Sequence, residues 1–344
     1  MRRLLATLLL ATLPCTACIW DRDTLKEEAE RGGKLDTVKS ITGWFNRYPP
    51  LYYEMRLERV SAALAADPKA LELYDDAGVA CDRLGRHDEA IRWMDKKKAL
   101  IDTLPADQTK TARHRHLANL GSFLGNRWAT RPADQRKADP ADLNAAIKSI
   151  EEAIQLDPDA HFGREKYQLQ LFQWLAAGFN DKAKEGDKKL WNFLAIGPGE
   201  AAQAGGPGEA KFREMEKGIA GLIQLGSVWE NVDVFAALGA VLNGAGANTP
   251  SLLASLRVEE LKKSGRTTLY PVPERVNAET GINAGDFKSA TSWYFKTRLA
   301  SQKRNLAWLV YQKERFAKGE HPDTHPDFWK AWQEPAFPAL PEDE

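Results

Sequence analysis

The sequence predicts an all-α fold in which antiparallel helix pairs stack into an array. Three observations carry that expectation. Tyr74, Ala77, Gly78, Cys81, Gly85, Ala90 and Met94 alternate small and large residues at the spacing of two helices crossing closely. The same frame shifted upstream by about 34 residues starts at residue 37 and places Val60 and Ala63 on a second-helix inner face and Pro68 at the close. The endings Ala66-Asp67-Pro68-Lys69-Ala70 and Leu156-Asp157-Pro158-Asp159-Ala160 also match, since proline stops one helix and suits the first turn of the next.

Taken in order, the periodic segments predict helices over 22–31, 34–46, 51–66, 70–83, 87–102, 109–126, 141–156 and 162–177, with almost no strand. Pro49 and Pro50 break the first pair, and Trp44, Phe45, Tyr48, Tyr52 and Tyr53 around them are expected to pack in the core. Gly78 and Ala90 face each other across the 71–104 pair, and Gly85 supplies the turn between its helices. His116-Leu117-Ala118-Asn119-Leu120-Gly121 with Leu124 repeats the first-helix pattern. Its partner, carrying Ala146, Ile150 and Ala153, arrives about 13 residues late against the repeat length, with residues 130–140 as a polar insertion. Gly197-Pro198-Gly199-Glu200-Ala201 recurs as Gly206-Pro207-Gly208-Glu209-Ala210 and reads as a loop. It lacks the Lys and hydroxyl of a phosphate cradle. Beyond it come a helix near 209–225, a further pair over 232–264 marked by Phe235, Leu238-Gly239, Leu242 and Gly246, an extended piece at 267–276, and a long helix at 285–318. That last helix is amphipathic, with Ala290, Trp293, Tyr294, Thr297, Leu299, Ala300, Leu306, Leu309, Val310 and Phe316 as its apolar positions and Lys288, Lys296, Arg298, Lys303, Arg304 and Lys313 elsewhere. It suits a cap on the array, and its basic residues suit either a solvated face or an anionic lipid surface.

With these residues in place, 37–104 resembles tetratricopeptide repeats, and 114–160 and 232–264 resemble degenerate copies. Lys97 departs from the usual alanine of the family and Asp102 from its frequent proline. The resemblance implies a non-catalytic scaffold whose first helices line a concave groove, here Glu72, Asp75, Val79, Asp82 and Arg83. A mostly acidic groove favours a basic or amide-rich protein or peptide, and it lacks the Lys/Asn set with which some members clamp a C-terminal carboxylate.

The N-terminus carries an export signal. Met1-Arg2-Arg3 is basic, Leu4 to Leu13 is apolar but too short to span a bilayer, and Thr16-Ala17 places small residues before Cys18. This resembles a bacterial lipoprotein signal, which implies acylation of Cys18, cleavage before it and anchorage at the periplasmic face. Ile19 in place of an aspartate implies transfer to the outer membrane if the cell is Gram-negative. Cys15, where that family prefers leucine, leaves ordinary signal cleavage as the alternative. The expected organisation is a signal at 1–17, an anchor or linker at 18–36, repeats at 37–177, a Gly/Pro/Ala-rich connection at 178–210, degenerate repeats with the long helix at 211–318, and a Pro/aromatic tail at 319–344.

Composition excludes some function classes. Removing residues 1–17 takes away Arg2 and Arg3 and no acid, leaving 46 basic and 48 acidic residues and a formal charge of −2. A balanced chain without a basic stripe is not expected to bind nucleic acid. Cys81 is left as a small buried hydrophobe. His87, His114, His116 and His161 have no nucleophile at motif spacing, and neither paired carboxylates nor a dinucleotide fingerprint occurs, so neither catalysis nor a cofactor is expected. His321 and His325 are separated by prolines that deny them a common helical face, so no metal is expected. Asp327 instead is read as capping a short helix that returns Phe328, Trp329 and Trp332 to the body. The alternative is an envelope ligand-binding protein or enzyme with a pocket in 178–344, motivated by Trp191, Trp229, Trp293, Trp308, Trp329 and Trp332.

Overall fold

A computed structural model describes residues 19–31, 36–180, 190–197, 200, 206–226, 228–271 and 288–341. The fold is all-α: α1 (Arg22–Arg31), α2 (Thr37–Thr42), α3 (Pro50–Ala66), α4 (Leu71–Arg83), α5 (His87–Ile101), α6 (Ala106–Ala129), α7 (Ala133–Ala138), α8 (Ala141–Leu156), α9 (Arg164–Ala177), α10 (Pro207–Gln224), α11 (Val232–Gly244), α12 (Asn248–Lys263) and α13 (Lys288–Phe316). No strand occurs among the described residues. From α3 to α13 each long helix packs on the next, with α6 passing directly to α8 across the short α7, and α4 also lies beside α6. The architecture is solenoid-like, with α4, α6, α9 and α11 as the first helices of successive pairs.

Helices α4, α11 and α12 end by one mechanism. Gly85, Gly246 and Gly265 adopt positive φ, and the residue after each donates its N–H back to the carbonyl five residues earlier: Arg86 to Cys81, Ala247 to Leu242 and Arg266 to Leu261. A left-handed residue there satisfies helix-end carbonyls and reverses the chain without strain. Other glycines act by size. A Cβ on Gly78 would lie 2.9 Å from Met94 and Phe123, one on Gly121 2.8 Å from Ile150, and one on Gly125 2.4 Å from the Phe172 ring. Gly78 therefore admits Met94 and Phe123, rather than Ala90, into the crossing.

Several expected boundaries shift for local reasons. The helix expected at 34–46 shortens to α2, because the Asp36 side chain caps its start through the Lys39 N–H and left-handed Gly43 ends it. The insertion at 130–140 contains α7. In the second Gly-Pro-Gly-Glu-Ala copy, residues 207–210 form the first turn of α10, because proline is accommodated at the first helical position. The first copy lies mostly outside the described residues, as do residues 272–276 of the extended piece. Leu269 and Tyr270 are buried, Tyr270 against Trp174 with ring centroids 4.5 Å apart. Trp44, Phe45, Tyr52 and Tyr53 are buried and Tyr48 is partly so, stacked on Tyr52 at 4.3 Å.

α13 departs most from expectation. Its inward face carries Tyr294, Arg298, Ser301, Arg304, Trp308, Gln312 and Phe316, while Phe295, Leu299, Leu306 and Val310 are exposed. The cause is the irregular chain after α2. Arg298 donates to Thr42 O at 2.8 Å, Asn305 to Gly43 O at 3.0 Å, Arg304 to Phe45 O at 3.2 Å, and Trp308 and Gln312 to Arg47 O at 2.9 and 3.3 Å. A covered loop without helical bonds needs donors from elsewhere, and α13 provides a row of them. Arg298 and Arg304 are thus buried ion-paired donors to Glu260 and Glu334, not members of a solvated basic face. The tail continues this closure. Trp329 stacks on Trp308 at 4.3 Å and Phe328 is buried, carried by a 3₁₀ turn at Pro326–Trp329. The residue before that turn is His325, which makes no side-chain cap, and Asp327 is exposed.

Replacing Gly125 with alanine is expected to destabilise the protein by about 1–3 kcal/mol, because overpacking against Phe172 outweighs the roughly 1 kcal/mol gained in helix propensity. Urea unfolding measures it; a more stable Gly125→Ala protein would refute the close α6–α9 crossing.

Candidate functional site

The positions assigned to a groove lie on α4, and the residues that meet the N-terminal segment beside them lie on α6 and the first turn of α9. Of the positions assigned to the groove by resemblance, Glu72 is exposed, Arg83 is half-buried and donates to Gly226 O at 3.0 Å, and Asp75, Val79 and Asp82 are buried. Asp75 accepts two hydrogen bonds from Lys97 at 2.7 and 2.6 Å and one from Asn119 at 3.0 Å. Lys97 is the buried counterion of an acid on the facing helix. Asp82 is held by His87 at 2.8 Å and by Asn126 at 2.9 Å. Neither carboxylate is open to an outside molecule. Burial raises the Asp75 carboxyl above the ordinary range against the pull of Lys97 and Asn119. The Cys81 thiol is pushed up to about 12, chiefly by burial and then by Glu89, as suits a packing residue.

Beside Asp75, on the other side of Asn119, lies the chain's own segment, Ile19 to Thr24. Asn119 Oδ1 accepts the Trp20 N–H at 2.7 Å, and its Nδ2 donates to Trp20 O at 2.9 Å. One amide thereby satisfies both polar groups of one residue's backbone, and Asn119 is fully buried. The Trp20 indole donates from Nε1 to Glu165 Oε1 at 3.0 Å, lies edge-on to His114 with centroids 5.2 Å apart, and packs with Ala118, Ala153 and Ala160. His114 meets the other Glu165 oxygen at 3.1 Å. Arg164 donates to Ile19 O at 3.4 Å, and Ile19 itself is fully buried among residues of α3 to α5. One step further, Asp76 accepts both the backbone N–H and Nε of Arg22, at 3.1 and 2.7 Å.

The segment then enters α1 through a built start. Asp21 caps it, accepting the Thr24 N–H and hydroxyl at 2.9 Å each. Arg56 of α3, fully buried, joins three parts of the chain: it donates to Asp23 at 2.7 Å, reaches Asp21 at 3.4 Å and donates to Asp323 of the tail at 2.7 Å. Arg59 also pairs with Asp323. Burial, then the nearby Asp23, lifts the Asp21 carboxyl to about 6 despite Arg56. His321 lies over Tyr52 and approaches Tyr52 O at 3.1 Å, and burial followed by Arg56 holds it down to about 4. His325 is exposed. Among the described residues no group of His, Cys, Asp and Glu is arranged to hold a metal ion.

Asp75, Val79 and Asp82 are buried, and the residues that meet the N-terminal segment are others. Asn119, Arg164 and Glu165 lie on first helices of later pairs, where groove positions had been projected only over 71–104. Asn119 sits two residues before Gly121 in the recognised first-helix pattern, and that placement was the available signal. Cys18 lies outside the described residues. Comparison with known proteins finds no matching family model, no matching curated protein and no matching solved structure.

Two outcomes follow. Asn119→Ala leaves the Trp20 backbone groups without a buried partner and takes one hydrogen bond from Asp75, which keeps Lys97, so a loss of about 2–4 kcal/mol is expected, together with faster limited proteolysis within residues 19–31. Asp21 has a folded-state value of about 6, above the ordinary 3.8, so the folded state holds a proton that the unfolded chain has lost. Stability from Asp21 is therefore present at low pH and is lost as pH rises from about 4 through about 6. Asp21→Asn keeps the cap and removes this dependence. Its stability relative to wild type, followed by urea unfolding, is expected to rise by about 1–3 kcal/mol between pH 4.5 and 7; an unchanged difference would contradict the assignment.

Proposed function

We propose that this chain is an exported, non-catalytic helical-repeat scaffold of the bacterial cell envelope, lipid-anchored through Cys18, whose first-helix groove binds an extended polypeptide segment. The observation that carries the reading is the Asn119 clamp on the Trp20 peptide unit. It recognises backbone, while flanking contacts select an aromatic residue at one position and a basic one two residues on. Main-chain recognition with side-chain pockets is a general way for a protein to hold a peptide. The resemblance of 37–104 to tetratricopeptide repeats supports the same class.

The reading has a regulatory consequence. A client peptide using this groove competes with Ile19–Thr24, which has the advantage of being tethered. Because Ile19 is buried beside the proposed acylated Cys18, the body rests against the membrane without a long spacer, and a client that displaces the segment frees that spacer. Glu72 remains exposed at the groove's edge and favours a basic flank in the client.

Membrane fractionation with affinity capture tests the proposal. Cys18→Ala is expected to shift the protein from the membrane to the soluble fraction. Trp20→Ala, which weakens the resident segment, is expected to increase capture of envelope proteins by roughly tenfold, equivalent to about 1.4 kcal/mol of lost self-competition. Wild-type protein already soluble in the periplasm would refute the anchor, and capture indifferent to Trp20→Ala would refute the groove.

A further inference from the structure

Three arginines from different elements converge on one indole. The guanidinium carbons of Arg257 (α12), Arg47 (the chain before α3) and Arg298 (α13) lie 4.0, 4.5 and 5.2 Å from the Trp229 ring centre. They stand at the base of an open depression of about 390 Å³, within the size range of small-ligand sites. Leu261, Leu306 and Leu309 form its apolar side, and Leu306 is 63% exposed at the lip.

The charges in this depression do not balance. Glu260 is shared by Arg298, at 2.7 Å, and Arg257, at 3.0 Å. Burial alone would raise its carboxyl, but the arginines and the Tyr294 hydroxyl hold it down to about 2, so it stays an anion. Glu230 is taken by Arg266. Arg47 makes no side-chain hydrogen bond or ion pair among the described residues, and its Nε is buried without a partner. Arg257, only 4% exposed, likewise has a buried, unpartnered Nε. Burial and the neighbouring Arg298 and Arg257 push Arg47 below the usual arginine range, so its charge is disfavoured where it stands. Guanidiniums crowded together with donors unused lack an anion.

We infer that this depression is a binding site for a carboxylate carried on an apolar body. A planar carboxylate matches the guanidinium fork. With Glu230 paired to Arg266 and Glu260 shared by Arg257 and Arg298, the depression holds an excess of positive charge, and Arg47 is the arginine in it without an acidic partner among the described residues. The leucines receive the apolar part. The carboxylate is supplied either by a fatty-acid-like molecule or by the C-terminus of a peptide ending in an apolar residue. The site shares no residue with the Asn119 groove and does not depend on the scaffold reading.

Calorimetric titration of the intact chain with octanoate and with N-acetyl-leucine tests it, using octanol and N-acetyl-leucinamide as uncharged counterparts. At least one carboxylate is expected to bind, at least about tenfold more tightly than its counterpart. Stronger octanoate identifies a lipidic acid, and stronger N-acetyl-leucine a peptide end. Arg47→Met is expected to weaken the carboxylate by about tenfold or more while leaving the melting temperature of the ligand-free protein unchanged or raised, and Arg47→Lys is expected to bind at an intermediate level. No carboxylate binding to wild type, equal binding of octanol, or undiminished binding to Arg47→Met would overturn the inference. A lowered ligand-free melting temperature in both Arg47 variants would make Arg47 structural and overturn it as well.

Discussion

Asn119 sets where the N-terminal segment lies, and much of the molecule's first half is arranged around that placement. Its amide takes both backbone polar groups of Trp20 and still has a hydrogen for Asp75, which is in turn neutralised by Lys97. Each member is buried and depends on the next. Such a chain is strong only when complete, because removing one partner strands a desolvated polar group. The network joins the N-terminal segment to α4, α5 and α6. That segment brings Asp21 and Asp23 to Arg56, and Arg56 brings Asp323, so the two ends of the described chain meet at one guanidinium.

A second constraint closes the array from the other end. The chain between α2 and α3 is covered yet irregular, and its carbonyls from Thr42 to Arg47 take donors from α13. A face selected to supply donors cannot also be uniformly apolar. This is why α13 buries Arg298, Arg304 and Gln312 and exposes Leu299, Leu306 and Val310. The aromatic stack of Trp308 and Trp329 then fixes the tail over α13. Six of the tryptophans had suggested an aromatic cleft; Trp308 and Trp329 instead seal a seam, while Trp229 serves as the floor under three arginines.

Local rules made the helix pairs legible. Gly85 had to turn, Pro49 and Pro50 had to interrupt the helix before them, and Ala90 and Met94 had to face inward, so α3, α4, α5 and α8 fall within a residue or so of expectation. Two features were not legible because they are non-local. The occupancy of the groove depends on Trp20 meeting Asn119, 99 residues away. The inverted burial of α13 depends on carbonyls more than 250 residues earlier, which no helical periodicity registers. The candidate site was therefore half visible: acidic wall positions could be read, but Lys97, Asn119 and Glu165, which decide what those acids face, could not. The structure places the chain's own Trp20 and Arg22 against Asn119 and Asp76.

Amide hydrogen exchange at Trp20 in the intact wild-type protein tests this most directly, because that N–H is bonded to Asn119 in the docked state and to water otherwise. The account predicts protection well above that of an unstructured peptide, accompanied by protection of the Arg22 amide held by Asp76. Exchange of both amides at the rate of a free peptide, with the helices α4 and α6 still protected, would contradict it.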